Sequence, residues 1–375
     1  MKRFLWAAVF AAAVLGGLAL WTRTTGPQQR GIEKEREPGG GQSRPPVRLG
    51  ISVGGRTVVL LWAYEKNKFK KANLDVTLLA ESPESGEFVP VPRGRHKRPD
   101  MFKGARKRAE RTTGVQLIER MLQGQFDGVT VGGAPFLESV ARGLPIVAIA
   151  GMGHERADHP GGGIVFRKAI QIRTPADLRG KSLVAKQTGA GHGLVLREFL
   201  RSVGLDADRD VRLFERVPEE EAKRGLLDGT YDGGYFNLGD IREFIKKGSA
   251  YLYRPLDWMK PELLQSYLVF RRDFVEAHPD TVESIVRVYS KQILGSRAKR
   301  QRKNSDDLEG AAEEHEVLDM SFPVVDTPPL VKLERLDAWQ ELLLRYKYLD
   351  RKLDVAPFVD NRFVEAAARE LASEN

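Results

Sequence analysis

From Val47 onward the chain alternates short apolar runs with amphipathic segments that stop at glycine. This rhythm leaves few folds open. Apolar runs at residues 47–53, 74–79, 129–131, 146–150, 164–166, 182–185, 211–214, 231–236, 250–253 and 267–270 have strand length. Between them, Leu117, Ile118, Met121 and Leu122 share one helical face ahead of Gly124, and Leu137, Val140 and Ala141 share another ahead of Gly143. Thr174 and Pro175 open a short helix that Gly180 ends, and Glu219, Glu220 and Glu221 follow Pro218 where a helix dipole favours acids. Strand and helix in alternation predict mainly parallel sheets with helices on both faces. In such sheets a ligand sits beyond the carboxyl ends of strands, near helix N-termini.

At 375 residues the chain is too long for one ordinary core and suits two α/β lobes. It has no cysteine, which excludes disulfides, a thiolate nucleophile, cysteine-ligated metal and lipid anchoring through cysteine. Ahead of the alternating region, Lys2 and Arg3 precede an uncharged run over residues 4–21. We read residues 1–25 as a signal peptide, with Gly17-Leu18-Ala19 as a weak cleavage site, or as an uncleaved membrane anchor. Residues 26–46, rich in glycine, proline and charge, read as a disordered linker.

Two segments interrupt the rhythm without sustained apolar periodicity. Residues 82–113 are basic, with nine cations against two acids between Arg93 and Arg111. Residues 296–316 run from basic to acidic. Both are expected as mobile loops that can include a short helix. The net charge of +9 makes an anionic membrane surface a candidate partner, through Arg93 to Arg111. Nucleic acid is not an expected partner of an exported chain.

An ordered set of stretches resembles the nitrate/sulfonate/taurine group of periplasmic substrate-binding proteins, which includes binders of thiamine-precursor pyrimidines. The matching stretches are Arg48-Leu49-Gly50-Ile51, the run at 63–76, Gly132-Gly133-Ala134-Pro135, Arg173-Thr174-Pro175-Ala176-Asp177-Leu178, Leu227-Asp228-Gly229 and Val359-Asp360-Asn361. The resemblance implies a periplasmic binding protein type 2-like fold of two lobes joined by two crossing strands. Lobe one would be residues 47–162 plus 261–375, and lobe two 163–260. It implies a non-enzymatic, monomeric clamp that closes on a small anionic or heteroaromatic ligand in the periplasm. The clamp would hand its ligand to an ABC transporter permease.

Four strand-end loops are expected at the cleft. The first holds Ser52, Gly54, Gly55, Arg56 and Thr57, where Arg56 can fork onto a carboxylate or sulfonate. The second is Gly132, Gly133 and Ala134, either an anion-accepting helix start or simple packing. The third is Lys186, Gln187, Thr188, Gly189 and His192. The fourth holds Tyr235 and Asn237, where relatives often carry an aromatic–acidic pattern instead. Trp258 and Tyr267 are further aromatic candidates.

Other readings compete with the transport clamp. The same clamp can report ligand occupancy to a membrane partner. A thiamine-precursor enzyme of this fold depends on cysteines that are absent here. His154 and His159, with Glu155 and Asp158 between them, read as a polar loop rather than a metal site. No cofactor and no catalytic residue is expected.

Overall fold

The computed structural model describes residues 44–51, 55–82, 85–93, 112–155, 160–186, 191–306 and 324–374. The expected signal or anchor, the linker up to residue 43, most of the basic insertion, the charged insertion beyond Asp306, and Ser52, Gly54, Asp158, His159, Gln187, Thr188 and Gly189 lie outside the described residues. Among the described residues no helix is long and apolar enough to cross a membrane.

Two mixed sheets organise the chain. The first has the order β3-β2-β1-β4-β11-β5, built from β1 (Val47–Ile51), β2 (Val76–Glu81), β3 (Phe88–Pro90), β4 (Gly128–Gly132), β5 (Ile146–Gly151) and β11 (Ser266–Arg271). The second has the order β10-β6-β9-β7-β8, built from β6 (Gly162–Arg167), β7 (Ser182–Lys186), β8 (Arg212–Val217), β9 (Gly233–Asn237) and β10 (Ala250–Pro255). Alternation alone predicts parallel ladders, and β1–β2, β1–β4, β7–β8 and β7–β9 are parallel. Apart from β2–β3, the antiparallel pairs lie where the chain changes sheet. β11 enters from the second sheet and runs antiparallel between β4 and β5. β6 enters from the first and runs antiparallel between β9 and β10.

The chain passes between the sheets twice, over residues 152–161 and 256–265. The two passes are bonded together at both ends. Met152 N–H donates to Ser266 O at 2.7 Å, Ser266 N–H to Gly153 O at 3.1 Å, and Leu256 N–H to Gly162 O at 3.1 Å.

Helices cover both faces of each sheet, and strands such as β4, β5 and β7 are accordingly buried on both sides. On one face of the first sheet, α1 (Val58–Glu65), α9 (Pro279–Asp306) and α11 (Arg362–Ser373) close one core cluster around Leu49, Leu268 and Tyr289. On its other face lie α3 (Gly114–Leu122), α4 (Gly133–Ala141) and α10 (Leu333–Arg345). That second cluster continues through α5 (Gly191–Ser202) onto the second sheet, so one apolar core links the two. The far face of the second sheet is covered by α6 (Glu219–Asp228) and α7 (Leu238–Lys246). The short helices α2 (Lys68–Lys71) and α8 (Arg272–Ala277) complete the set.

Several local readings change. The helical stretch that begins at Val58 breaks after Glu65, because Asn67 takes a left-handed conformation (φ 53°) that asparagine tolerates. The charged insertion at 296–316 is not a loop at its start, since α9 runs on as one 28-residue helix to Asp306. Residues 296–306 contain no glycine or proline and are rich in lysine, arginine and glutamine, which favour helix without an apolar stripe. The basic insertion carries an edge strand, β3, paired antiparallel to β2.

Candidate functional site

The carboxyl end of β1 leads into a single 3-10 turn, Gly55–Thr57, that carries Arg56. Arg56 O accepts from Gly153 N–H at 3.1 Å, which fixes this turn to the first pass between the sheets. The Arg56 guanidinium forms an ion pair with Glu155, a residue of that pass. Glu155 is buried, and its second carboxylate oxygen accepts from Gly161 N–H at 3.1 Å. Gly161 and Gly162 are required by close approach. A side chain at Gly161 would strike the Glu155 carboxylate at 2.8 Å, and one at Gly162 would strike the Tyr235 hydroxyl at 2.6 Å.

Facing this pair from the second sheet are His192, on the first turn of α5, and Tyr235, on β9. Their rings meet edge to face, with centroids 5.0 Å apart. Trp258 stands perpendicular to Tyr235 at 6.3 Å and packs on Phe199 at 5.3 Å. Its Nε1–H donates to Val195 O at 3.0 Å, so the half-buried indole offers a ligand only its apolar surface.

His192 Nδ1 is buried and has no hydrogen-bond partner among the described residues, although the ring as a whole is only half-buried. Burial, followed by the nearby positive charges of Lys186 and Arg56, pushes the imidazole down to about 3, with Glu219 opposing. The ring is therefore neutral across the physiological range. The unfolded chain takes up this proton near 6.5 and the folded chain only near 3. His192 consequently weakens the fold as pH falls from 6.5 towards 3, and costs nothing above 6.5. NMR resonances of the ring are expected to show no titration between pH 8 and 5. A midpoint near 6.5 would mean that the ring is solvated and carries no such constraint. Tyr235 is held protonated, first by burial and then by the Glu155 carboxylate, with Arg56 acting the other way.

The other expected residues fall elsewhere. Lys186 is 1% exposed, and its ammonium points to the far face of the sheet, where Asp240 accepts at 2.6 Å and Glu219 lies at 3.5 Å. Strand alternation explains this direction: Val184 also faces the far cluster, whereas Ala185 faces the linking core. Gly133 is explained by packing, since a side chain there would strike the Trp339 indole at 2.9 Å. Gly132 occupies the N-cap position of α4, and Ala134 is buried. Asn237 is exposed at the N-cap of α7 and makes no capping bond with its side chain. Thr57 is buried. Tyr267 is fully buried against Phe136, at 5.9 Å, and its hydroxyl has no partner among the described residues.

The structure thus gathers Arg56, His192, Tyr235 and Trp258, and adds Glu155, which sequence reasoning passed over. The available signal was Pro160-Gly161-Gly162-Gly163, a glycine run directly after an acidic loop. His154 is also tied down, with Nδ1 at 2.9 Å from Glu155 O and Nε2 at 3.3 Å from Asp326. Burial raises the Asp326 carboxyl, but the His154 ring and the Arg335 guanidinium outweigh it and hold the group well below the usual carboxylate range. Among the described residues no cluster of three or more candidate ligands is placed to hold a metal ion.

Residues 110–294 match the family model described as NMT1/THI5 like. A Bacillus subtilis (strain 168) protein that carries the name of an aliphatic sulfonates-binding protein is 26% identical over 282 residues, covering 70% of this chain and 78% of its own. The alkanesulfonate-binding protein SsuA from Xanthomonas axonopodis pv. citri, solved with MOPS, matches at a TM-score of 0.59 and 17% identity, covering 85% of this chain and 100% of that one. The desulfurization enzyme DSZB matches at a TM-score of 0.53 and 15% identity, covering 87% of this chain and 99% of that one. The shared architecture is the periplasmic binding protein fold.

Proposed function

We propose that the chain, which is similar to the nitrate/sulfonate/taurine and thiamine-precursor-binding group of ABC import proteins, is an exported solute-binding clamp. It captures a small ligand between the two sheets by hinge closure and presents it to an ABC permease. The lobes in this reading are residues 47–162 with 261–375, and 163–260. The strands of each sheet fall on either side of those boundaries. The clamp acts as a monomer in the periplasm, either released or held at the inner membrane by its N-terminal apolar run. The cations between Arg93 and Arg111 lean on anionic lipid. No reaction is assigned to the site.

One observation carries this reading. A buried His192 Nδ1 with no hydrogen-bond partner among the described residues lies in the same neighbourhood as the Arg56–Glu155 pair, on the helix that packs on the second sheet. An unpaired buried polar atom is costly, and native folds retain few of them. A ligand that bonds to it on closure supplies the reason for its retention.

The test is a thermal-shift screen of the purified chain against alkanesulfonates, taurine, nitrate and pyrimidine precursors. A true ligand at a hundredfold excess over its dissociation constant stabilises the fold by about 2.7 kcal/mol. Arg56→Ala is expected to weaken that ligand at least tenfold. A ligand whose shift is unchanged in Arg56→Ala binds somewhere else and removes this site from the proposal.

A further inference from the structure

Resting on the exported reading for the presence of a bilayer, we infer that the corner formed by α1 and α2 docks on anionic lipid and holds the cleft turned away from the membrane. Residues 66–71 carry four lysines and no acid, and Lys66, Lys68, Lys70 and Lys71 are all exposed. Arg93 adds a fifth cation. Its guanidinium lies over the Tyr64 ring at 4.4 Å and donates to Asn67 Oδ1 at 2.8 Å, so it is held at the same corner. The acids along residues 62–75 are Glu65 and Asp75. Elsewhere exposed cations meet acids, as in Arg142–Glu119, Lys247–Glu243 and Arg362–Asp360. Among the described residues Lys68, Lys70 and Lys71 form no ion pair. Their charge is left for a partner outside the chain. Trp62 is half-buried, with the Lys66 ammonium 5.9 Å from its ring, and supplies the amphipathic surface that settles at a headgroup layer.

Two observations name lipid as the occupant. The first is where the chain enters the described structure. Arg44 donates to Ala72 O at 3.1 Å, directly after Lys71, and Val47 N–H donates to Asp75 O at 2.8 Å. Any membrane attachment made by the apolar run at 4–21 therefore reaches the folded chain at this corner. The second is orientation. Arg56 follows the carboxyl end of β1, and the corner abuts the amino end, about 17 Å away along a five-residue strand. Lipid on the corner leaves the site open to the aqueous side, where a soluble ligand arrives. Docking is thus the capturing orientation, and presentation to a permease requires release. Each lysine near an anionic surface strengthens binding about fivefold, and salt screens the attraction.

The chain has no cysteine, so a single introduced one takes a spin label at a chosen point. Two full-chain proteins are labelled at exposed positions. Pro46→Cys lies at the corner, just before β1. Leu333→Cys lies in the first turn of α10, two residues before Arg335, which reaches Gln265 of the second pass at 3.0 Å. Each is mixed with vesicles of phosphatidylcholine, or of phosphatidylcholine with phosphatidylglycerol, and collision with an aqueous relaxant is read. From neutral to anionic vesicles the label at 46 is expected to lose most of its collisions while the label at 333 keeps them. High salt should reverse the loss. The ratio of partition into the two vesicle types is the second readout, because it cancels whatever the apolar run contributes to both. Lys68→Gln, Lys70→Gln and Lys71→Gln together should cut that ratio about a hundredfold and expose the label at 46. Every cation from Arg93 to Arg111 stays in place in this variant. Equal protection of both labels, protection at 333 alone, or protection on no vesicle overturns the inference, the last being the outcome for an acidic protein partner. So does an unchanged ratio in a triple variant that melts like the natural protein. The thermal-shift screen reads ligand without lipid. Failure here therefore leaves the clamp standing, and an empty screen leaves the docking result standing.

Discussion

Asp240→Asn is expected to cost about 3 kcal/mol of folding stability, at the lower end of the penalty for removing one partner of a buried ion pair. The Lys186 ammonium it leaves behind is 1% exposed and, among the described residues, retains Glu219 at 3.5 Å as its one acidic partner. The reverse change should be mild. In Lys186→Met, Asp240 keeps the Lys223 ammonium at 2.9 Å, and the methionine thioether fills the same space with no charge to bury. Burial lowers the tendency of Lys223 to hold its proton, but Asp240 and Glu219 overcome this and raise its pKa well above the usual lysine value. Lys223 therefore remains a dependable counter-charge. Urea denaturation of the two variants reads the asymmetry directly, as a large fall in midpoint for Asp240→Asn and a small one for Lys186→Met. The same pair decides between the two roles that Lys186 can have. A cleft residue would lose ligand affinity in Lys186→Met with stability intact. A structural residue would leave affinity within a few-fold. Small losses of stability in both variants would mean that the cluster is solvated and worth little.

Lys186 also shows where sequence reading reaches its limit. The rhythm of strands, helices and terminal glycines is a local property, and it located β1, β4, β5, β7 and the helices around Leu117 and Leu137 correctly. Which face of a strand end points to solvent, to the cleft or to a neighbouring helix is a tertiary property. Lys186 ends an apolar strand just before a glycine-rich turn, and so resembles a ligand contact. Alternation along β7 turns it to the far face, and the partner that holds it there, Asp240, is 54 residues further along the chain. Gly133 is a similar case, since a glycine at a helix start fits an anion site and fits the Trp339 indole equally well. Glu155 was hidden for the opposite reason. Between histidines in a polar loop it looks solvated, and only the return of the chain at Gly161 encloses it. The antiparallel β6 and β11 were likewise invisible to alternation, because strand direction depends on which sheet the chain has just left.

The double change Tyr346→Phe with Tyr348→Phe is expected to open the ligand-free protein while leaving both sheets folded. The end of α10 reaches across to the second sheet here. Tyr346 O–H donates to Glu198 of α5 at 2.7 Å, and Tyr348 O–H donates to Glu215 of β8 at 2.8 Å. Arg345 also reaches Glu198, at 2.8 Å, but its guanidinium is largely solvated and adds less. Both acceptors keep a partner within the second sheet's own layers, Arg201 for Glu198 and Arg197 for Glu215, each at 2.8 Å. Losing the tyrosine hydroxyls therefore leaves no carboxylate stranded, which separates opening from unfolding. Hydrogen bonds to charged groups contribute about 1.5 kcal/mol or more each, so two of them bias closure by roughly a hundredfold. If only the closed form holds ligand, apparent affinity falls with the closed fraction. Small-angle scattering should show a larger radius of gyration for the ligand-free variant, and ligand should restore the natural value. The clasp should be insensitive to pH across the neutral range. Burial raises the Glu198 carboxyl, but bonds from Arg201, Tyr346 and Arg345 outweigh it and hold the group below its ordinary value. Its contribution is then complete above the ordinary glutamate pKa of about 4.3 and is lost only as pH falls through the lower folded value. Unchanged scattering together with unchanged affinity in the double variant would place the restraint on closure in the apolar core shared by α4 and α5, and deny the tyrosines any part in it.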